Sequence, residues 1–62
     1  MNILRINAVS RRTGLSRTSI YRAISKRTFP KSIKLGLRAT GWIEEEIDNW
    51  IEQKIRDRGE QQ

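Results

Sequence analysis

The sequence contains neither cysteine nor histidine. Without cysteine the chain forms no disulfide and no thiolate metal site, and without histidine it lacks the commonest general base and metal ligand. No apolar run approaches the roughly 20 residues that span a bilayer, and the first residues lack the apolar core of a signal peptide. These absences predict a cytoplasmic protein that is no enzyme and has no metal, cofactor, small-molecule ligand or membrane partner. The length predicts one small domain, residues 1–62.

Acidic residues are absent from the part of the chain before Glu44. All 7 of them lie from Glu44 onward, whereas most of the 13 basic residues lie before it, and the net charge is +6. A basic surface without acids suits a polyanion, because each neutralised phosphate releases condensed counterions. A basic membrane-binding helix is a weaker interpretation, since the basic residues do not border one broad apolar stripe.

The segment of residues 7–27 predicts a helix-turn-helix. Asn7 is expected to cap a first helix, and Gly14 to end it with a positive φ. Ser16 is then expected to cap a second helix, which runs to about Lys26. Apolar residues that can close a small core between the two helices are Val9, Leu15, Ile20, Ala23 and Ile24. The pattern is typical of DNA binding; its alternative is an ordinary helical hairpin with a solvated charged face.

A β-hairpin is predicted for residues 32–43. Pro30 ends the preceding helix and leaves Phe29 to pack on the core. Gly36 is the natural turn residue, and Gly41 indicates a bulge or a close backbone approach. A hairpin directly after a helix-turn-helix is a wing. The alternative is that it only covers the core and that its charges are solvated.

A C-terminal helix is predicted for residues 44–58, because apolar residues recur there at three- and four-residue spacing. Gly59 is expected to stop it, and the residues that follow to fray. Trp42 and Trp50 are expected in the core. Residues 2–6 are expected either to form a short extended strand, with Leu4 and Ile6 on one face, or simply to anchor the start of the chain. The predicted fold class is therefore mainly α with a small β-hairpin, a winged helix-turn-helix in one small domain.

Three stretches resemble the AlpA family of small phage and prophage regulators. They are T-G-L-S-R-T-S-I-Y-R, F-P-K-S-I-K-L-G-L-R-A-T-G-W and E-E-E-I-D-N-W-I, and the resemblance runs from about Leu4 to about Ile55. It implies a MerR-like, excisionase-like winged helix-turn-helix that binds DNA. It also implies transcriptional activation on a mobile element, or an excisionase role that bends DNA for a recombinase. Thr40 and Glu45 depart from the family pattern, which often has valine and a capping serine there.

These patterns favour a sequence-specific double-stranded DNA-binding protein of a phage or mobile element, located at the nucleoid. It would act as a transcriptional regulator or an excisionase, with a recombinase, an integrase or RNA polymerase as candidate partners and with cooperative self-association on DNA. Two alternatives come from other classes. A small structural RNA-binding protein is permitted by the charge, but single-strand readers usually display several stacking aromatics, and only Tyr21 is expected to be exposed. A protein–protein adaptor would work through the acidic last helix.

Candidate DNA contacts lie on the second helix and around it. Arg17 is the candidate for base reading, because a guanidinium matches the O6 and N7 acceptors of guanine, and Thr18 can contact a thymine methyl or a base edge. Contacts to phosphates, which fix the register without specifying sequence, are expected from Ser16, Ser19, Tyr21 and Arg22. Further electrostatic attraction is expected from Arg11, Arg12, Lys26 and Arg27, and a clamp in the adjacent minor groove from Lys34 and Arg38 on the wing.

Overall fold

Residues 1–60, which the computed structural model describes, form three helices and three strands. The elements in chain order are β1 (Ile3–Leu4), α1 (Ile6–Thr13), α2 (Arg17–Ser25), β2 (Ile33–Gly36), β3 (Ala39–Ile43) and α3 (Glu44–Glu60). The predicted class, mainly α with a small hairpin in a winged helix-turn-helix arrangement, is confirmed. Gln61 and Gln62, for which fraying is predicted, lie outside the described residues.

The turn between α1 and α2 is closed by the two predicted caps. Gly14 has a φ of 76°, and its N–H donates to the carbonyl of Ser10 at 2.9 Å. Ser16 Oγ accepts from the N–H of Ser19 at 3.1 Å and so satisfies a donor of the first turn of α2. The tight turn therefore fixes the angle at which α2 leaves α1.

The prediction that Asn7 caps α1 is wrong. The residue at the N-cap position is Arg5, which makes no side-chain cap bond, and the first helical bond runs from the N–H of Val9 to the carbonyl of Arg5 at 3.0 Å. The physical reason lies in Ile6, which packs against the core and so brings the start of the helix two residues earlier. Asn7 is therefore inside the first turn, and its side chain is available for a contact outside α1.

The end of α2 is a Schellman motif with an arginine in the left-handed position. The N–H of Arg27 donates to the carbonyl of Ile24 at 3.0 Å, and that of Thr28 to the carbonyl of Ala23 at 2.9 Å. Arg27 has a φ of 61°, the conformation that glycine adopts at least cost. The helix thus ends close to the position predicted from Pro30, with some strain at Arg27.

Arg27→Gly should stabilise the protein. We expect the free energy of unfolding to rise by about 1 kcal/mol, because glycine removes the steric cost of the left-handed conformation. Urea unfolding followed by tryptophan fluorescence measures the change. Lys26→Gly is the matched control: it removes the same charge at a φ of −83°, and should lower the stability by about 0.5–1 kcal/mol. Equal effects of the two substitutions would contradict the assignment of strain to Arg27.

The sheet is antiparallel, with β3 between β1 and β2. The register pairs Ile3 with Ile43 on one side of β3 and places Gly36 opposite Ala39 on the other. The start of the chain is thus a strand, as the sequence allows. The prediction that Gly36 forms the hairpin turn is wrong, since it ends β2 and the turn consists of Leu37 and Arg38. The reason is a register shift in β2 between Lys34 and Gly36, which moves the turn along the chain.

Gly41 marks a close approach between all three strands. A Cβ at this position would overlap Cγ2 of Ile3 and would lie 3.1 Å from Cδ1 of Leu35 and 3.3 Å from the carbonyl oxygen of Leu4. One of the two predicted explanations for this glycine, the close approach, is therefore confirmed, whereas the irregular pairing lies in the neighbouring strand β2. The missing side chain lets Ile3 and Leu35 meet across β3.

The three helices, the segment after α2 and strand β3 all contribute to the core, whereas all four residues of β2 are exposed. The core consists of Val9, Ile20, Phe29, Trp42 and Ile47. The indole N–H of Trp42 donates to the carbonyl of Pro30 at 3.1 Å, and that of Trp50 to the carbonyl of Thr28 at 2.8 Å. Both tryptophans therefore serve the fold, as predicted, and they fix the segment that links α2 to the hairpin.

The last helix begins where it is predicted and ends later. The N–H of Glu44 donates to the carbonyl of Asn2 at 2.9 Å, so the residue before β1 satisfies one backbone donor at the start of α3. Gly59 does not stop α3, because it does not take the positive φ that a stop requires, and a glycine inside a helix costs only about 0.5–1 kcal/mol. In the described part of the chain, no helix combines the length and the apolar character that a membrane crossing requires.

Candidate nucleic-acid interface

The exposed face of α2 carries the residues that the sequence singles out. Arg17, Thr18, Tyr21 and Arg22 are exposed, whereas Ile20 is fully buried. A helix turns about 100° per residue, so Thr18 and Arg22 point almost directly away from Ile20. This face contains no acidic side chain. The face thus presents hydroxyl and guanidinium groups, and positive charge, on one helix.

Ser25 belongs to the same exposed face and was missed by the sequence reasoning. It lies three residues after Arg22 and seven after Thr18, so helical spacing places the three on one side of α2. That spacing was the signal that could have identified it. A serine hydroxyl at this place can donate to a phosphate oxygen or a base edge.

Arg17 is held in place by α1. Its Nη2 donates to Oδ1 of Asn7, a hydrogen bond between two exposed side chains. A guanidinium has five N–H donors in a rigid fork, so this bond leaves the others available. The cost of ordering a long side chain at an interface is reduced when the free protein already orders it. Asn7 therefore orients the side chain of Arg17, a contact that only the three-dimensional structure reveals.

Three polar candidates at the start of α2 and along it, Ser16, Ser19 and Tyr21, differ in which groups they leave free for an outside contact. Ser16 uses its hydroxyl within the cap, since Oγ accepts from the N–H of Ser19 and donates to Oγ of Ser19 at 3.0 Å. The hydroxyl proton of Ser19, which is half-buried, remains able to donate. Tyr21 is 48% exposed, and its ring centroid lies 6.3 Å from that of the buried Trp42. The tyrosine is thus braced by the core while part of it faces solvent.

Arg12 is committed to the last helix. Its Nη2 lies 2.9 Å from Oε2 of Glu44 and its Nη1 lies 2.9 Å from Oδ1 of Asp48. The hydrogen bond to Asp48 is the largest of the effects that raise the pKa of Arg12 above its ordinary value. In sequence this arginine has no acidic neighbour, but in space its charge is neutralised. It ties α1 to the first turns of α3.

The other candidate cations are exposed. They are Arg11, Arg22, Lys26, Arg27, Lys34 and Arg38. Among the described side chains, only Arg12 and Arg56 of the basic residues form ion pairs, so no acidic side chain neutralises the charge of these six residues. Lys34 lies on β2 and Arg38 in the hairpin turn, beside Leu37, which is 97% exposed. The tip of the wing is therefore an exposed leucine with a lysine and an arginine close to it in sequence.

Comparison with known proteins gives one family and two relatives. The family described as prophage CP4-57 regulatory protein (AlpA) matches residues 2–55. The DNA-binding transcriptional activator AlpA of Escherichia coli is 40% identical, over 90% of this chain and 89% of that protein. An uncharacterized protein, ORF88, of Enterobacteria phage P4 is 36% identical, over 89% of this chain but only 62% of its own length. No solved structure gives a significant match.

Proposed function

The chain belongs to the AlpA family of prophage regulatory proteins, and from this premise we propose that it binds double-stranded DNA sequence-specifically and regulates transcription on a prophage. The family resemblance predicted from the sequence is confirmed, and a family of regulatory proteins agrees with the expectation that the chain is no enzyme. The observation that carries the proposal is the exposed face of α2, which is free of acids and is fixed by a capped turn.

In the proposed complex α2 enters the major groove. Arg17 donates two hydrogen bonds to O6 and N7 of a guanine, and Asn7 sets the direction of its guanidinium. Thr18 faces the next base, where its methyl group can pack on a thymine. The first turn of α2 contains no acidic residue, so the positive end of its dipole is free to attract a phosphate.

The remaining contacts position the protein on the backbone. We assign phosphate contacts to Ser19, Tyr21, Arg22 and Ser25, and a longer-range attraction to Arg11, Lys26 and Arg27. Lys34 and Arg38 bring the wing to the adjacent minor groove. Arg12 is left out of this set because Glu44 and Asp48 already neutralise it. Ser16 contributes through the cap, because its hydroxyl is used there.

We propose two processes on a prophage in which this DNA-binding surface could act. At a promoter, bound copies would act on RNA polymerase; at an attachment site, copies bound cooperatively would assist a recombinase in excision. Footprinting on DNA of the element that encodes the chain, with and without its recombinase, separates the two. Protection of attachment-site DNA supports excision, and protection of a promoter alone supports transcriptional control. Efficient competition by structured RNA would contradict the assignment of duplex DNA as the ligand.

The salt dependence of binding distinguishes Lys34 from Arg12. Lys34→Ala should weaken all duplexes alike and reduce the slope of log K against log salt concentration by about 1, because one phosphate contact is lost. Arg12→Gln should leave the slope unchanged, because the charge it removes is already paired within the protein. Anisotropy titrations of a labelled duplex over a series of salt concentrations measure both slopes, and circular dichroism verifies that each variant is folded. If Arg12→Gln lowered the salt-dependence slope as much as Lys34→Ala does, Arg12 would have to be counted among the residues that contact DNA.

A further inference from the structure

A groove lies between the end of α1 and the second half of α3. Its volume is about 290 Å³. Its floor is apolar, with Trp50, Ile51 and Ile55, and its rim carries the cations Arg12, Lys54 and Arg58. No residue of α2 or of the hairpin lines it. The groove is therefore separate from the surface proposed to contact DNA, and a chain bound to DNA through α2 still presents it.

The apolar floor extends beyond what the core covers. Ile47, Ile51 and Ile55 recur every four residues along α3, yet Ile47 is fully buried whereas Ile55 is 53% exposed. The core uses the first half of the stripe, and in residues 1–60 nothing covers its second half. Lys54 lies over Trp50, with Nζ 5.3 Å from the ring centroid, and so places its charge at the edge of the apolar surface.

The charges around the groove decide what fits it. Arg12 is already paired, whereas Lys54 and Arg58 form no ion pair with any other described side chain, so these two supply the positive charge of the rim. Glu52 and Asp57 of the same half of α3 do not line the groove. A surface with an apolar floor and a cationic rim is complementary to a segment that carries apolar side chains beside carboxylates. The wing of a second copy does not fit, because Leu37 at its tip is accompanied by cations that the rim would repel.

We propose that this groove binds an acidic amphipathic segment of a partner protein. An apolar side chain of the segment packs on Ile51, Ile55 and the edge of Trp50, and neighbouring carboxylates pair with Lys54 and Arg58. This is the helix-in-groove mode, in which a stripe of apolar anchors supplies affinity and flanking charges supply orientation. The chain would thus hold DNA with one face and a protein with another.

A short amphipathic peptide of leucine, glutamate and alanine, with its leucines on one helical face, serves as the probe. Titration into the isotope-labelled protein, free and bound to duplex DNA, should give saturable NMR shifts at the Trp50 indole N–H and at Ile51 and Ile55. Ile55→Asp and Arg58→Glu should each weaken the peptide about tenfold, as for residues central to an interface. Arg56→Glu is the matched control, since this arginine pairs with Glu52 and does not line the groove; it should leave the affinity nearly unchanged.

Several outcomes would overturn the proposal. One is equal binding of a peptide that carries lysine in place of glutamate. Another is displacement of the acidic peptide by duplex DNA, or NMR shifts that are confined to α2. A third is an affinity for the peptide that neither Ile55→Asp nor Arg58→Glu changes. Both substituted residues are exposed, and Arg58→Glu provides the test should the aspartate at position 55 impair folding. Duplex affinity is measured on the same variants, so that a failure of DNA binding is distinguished from a failure of the groove.

Discussion

Replacing Arg17 by alanine should remove most of the preference for the cognate DNA site. The loss of a bidentate pair with guanine is expected to cost about 1–3 kcal/mol on the cognate duplex, roughly a fivefold to 150-fold weaker affinity. Binding to a random duplex should fall much less, because a lost charge weakens all sequences alike. The measured quantity is therefore the ratio of the two affinities, taken at one salt concentration.

Arg22→Ala provides the control for Arg17→Ala. Both arginines are exposed on α2 and both substitutions remove one charge, but only Arg17 is oriented by Asn7. Arg22→Ala should weaken the cognate and random duplexes by similar factors and leave their ratio in place. If Arg17→Ala also left the ratio unchanged, base reading would have to be reassigned to other residues of the face, such as Thr18 or Ser25.

Trp42→Ala should leave the chain largely unfolded. The indole of Trp42 is fully buried and its N–H satisfies the carbonyl of Pro30, so alanine creates a cavity and leaves that carbonyl without its donor. Truncation of a buried tryptophan costs about 3–5 kcal/mol, and a single core in a chain of this size supplies roughly the same amount. Far-UV circular dichroism and urea unfolding at 25 °C measure the loss.

An exposed apolar residue provides the comparison for this substitution. Leu37 is 97% exposed, so Leu37→Ala should change the free energy of unfolding by no more than about 0.5 kcal/mol. A cooperative transition retained by Trp42→Ala, with a stability close to that of Leu37→Ala, would show that the core does not depend on this indole.

The features that could be predicted from sequence are those decided locally. Gly14 and Ser16 act on backbone groups within a few residues of themselves, so their roles as caps follow from residue type and spacing. The buried positions of Ile20 and Ile47 follow from helical periodicity in the same way. The residues of α2 that face away from its buried side follow from the same periodicity, which is why Arg17, Thr18 and Arg22 are exposed together.

The features that could not be predicted depend on distant parts of the chain. The acids that neutralise Arg12 lie 32 and 36 residues away from it, and no local pattern connects them. Asn7 has the side chain of a cap, but packing of Ile6 starts the helix before it and contact with Arg17 gives it another role. Gly36 has the residue type of a turn, but the register of the sheet places the turn after it.

The pairing of β1 with β3 has a consequence for how the protein is made. Ile3 pairs with Ile43, and the carbonyl of Asn2 accepts the first N–H of α3, so the earliest residues find their partners only late in the chain. During synthesis the first residues emerge from the ribosome first, and this loop stays open until the last helix has followed. Because Val9 and Ile20 share their core with Trp42 and Ile47, α1 and α2 lack part of that core until β3 and α3 have been synthesised.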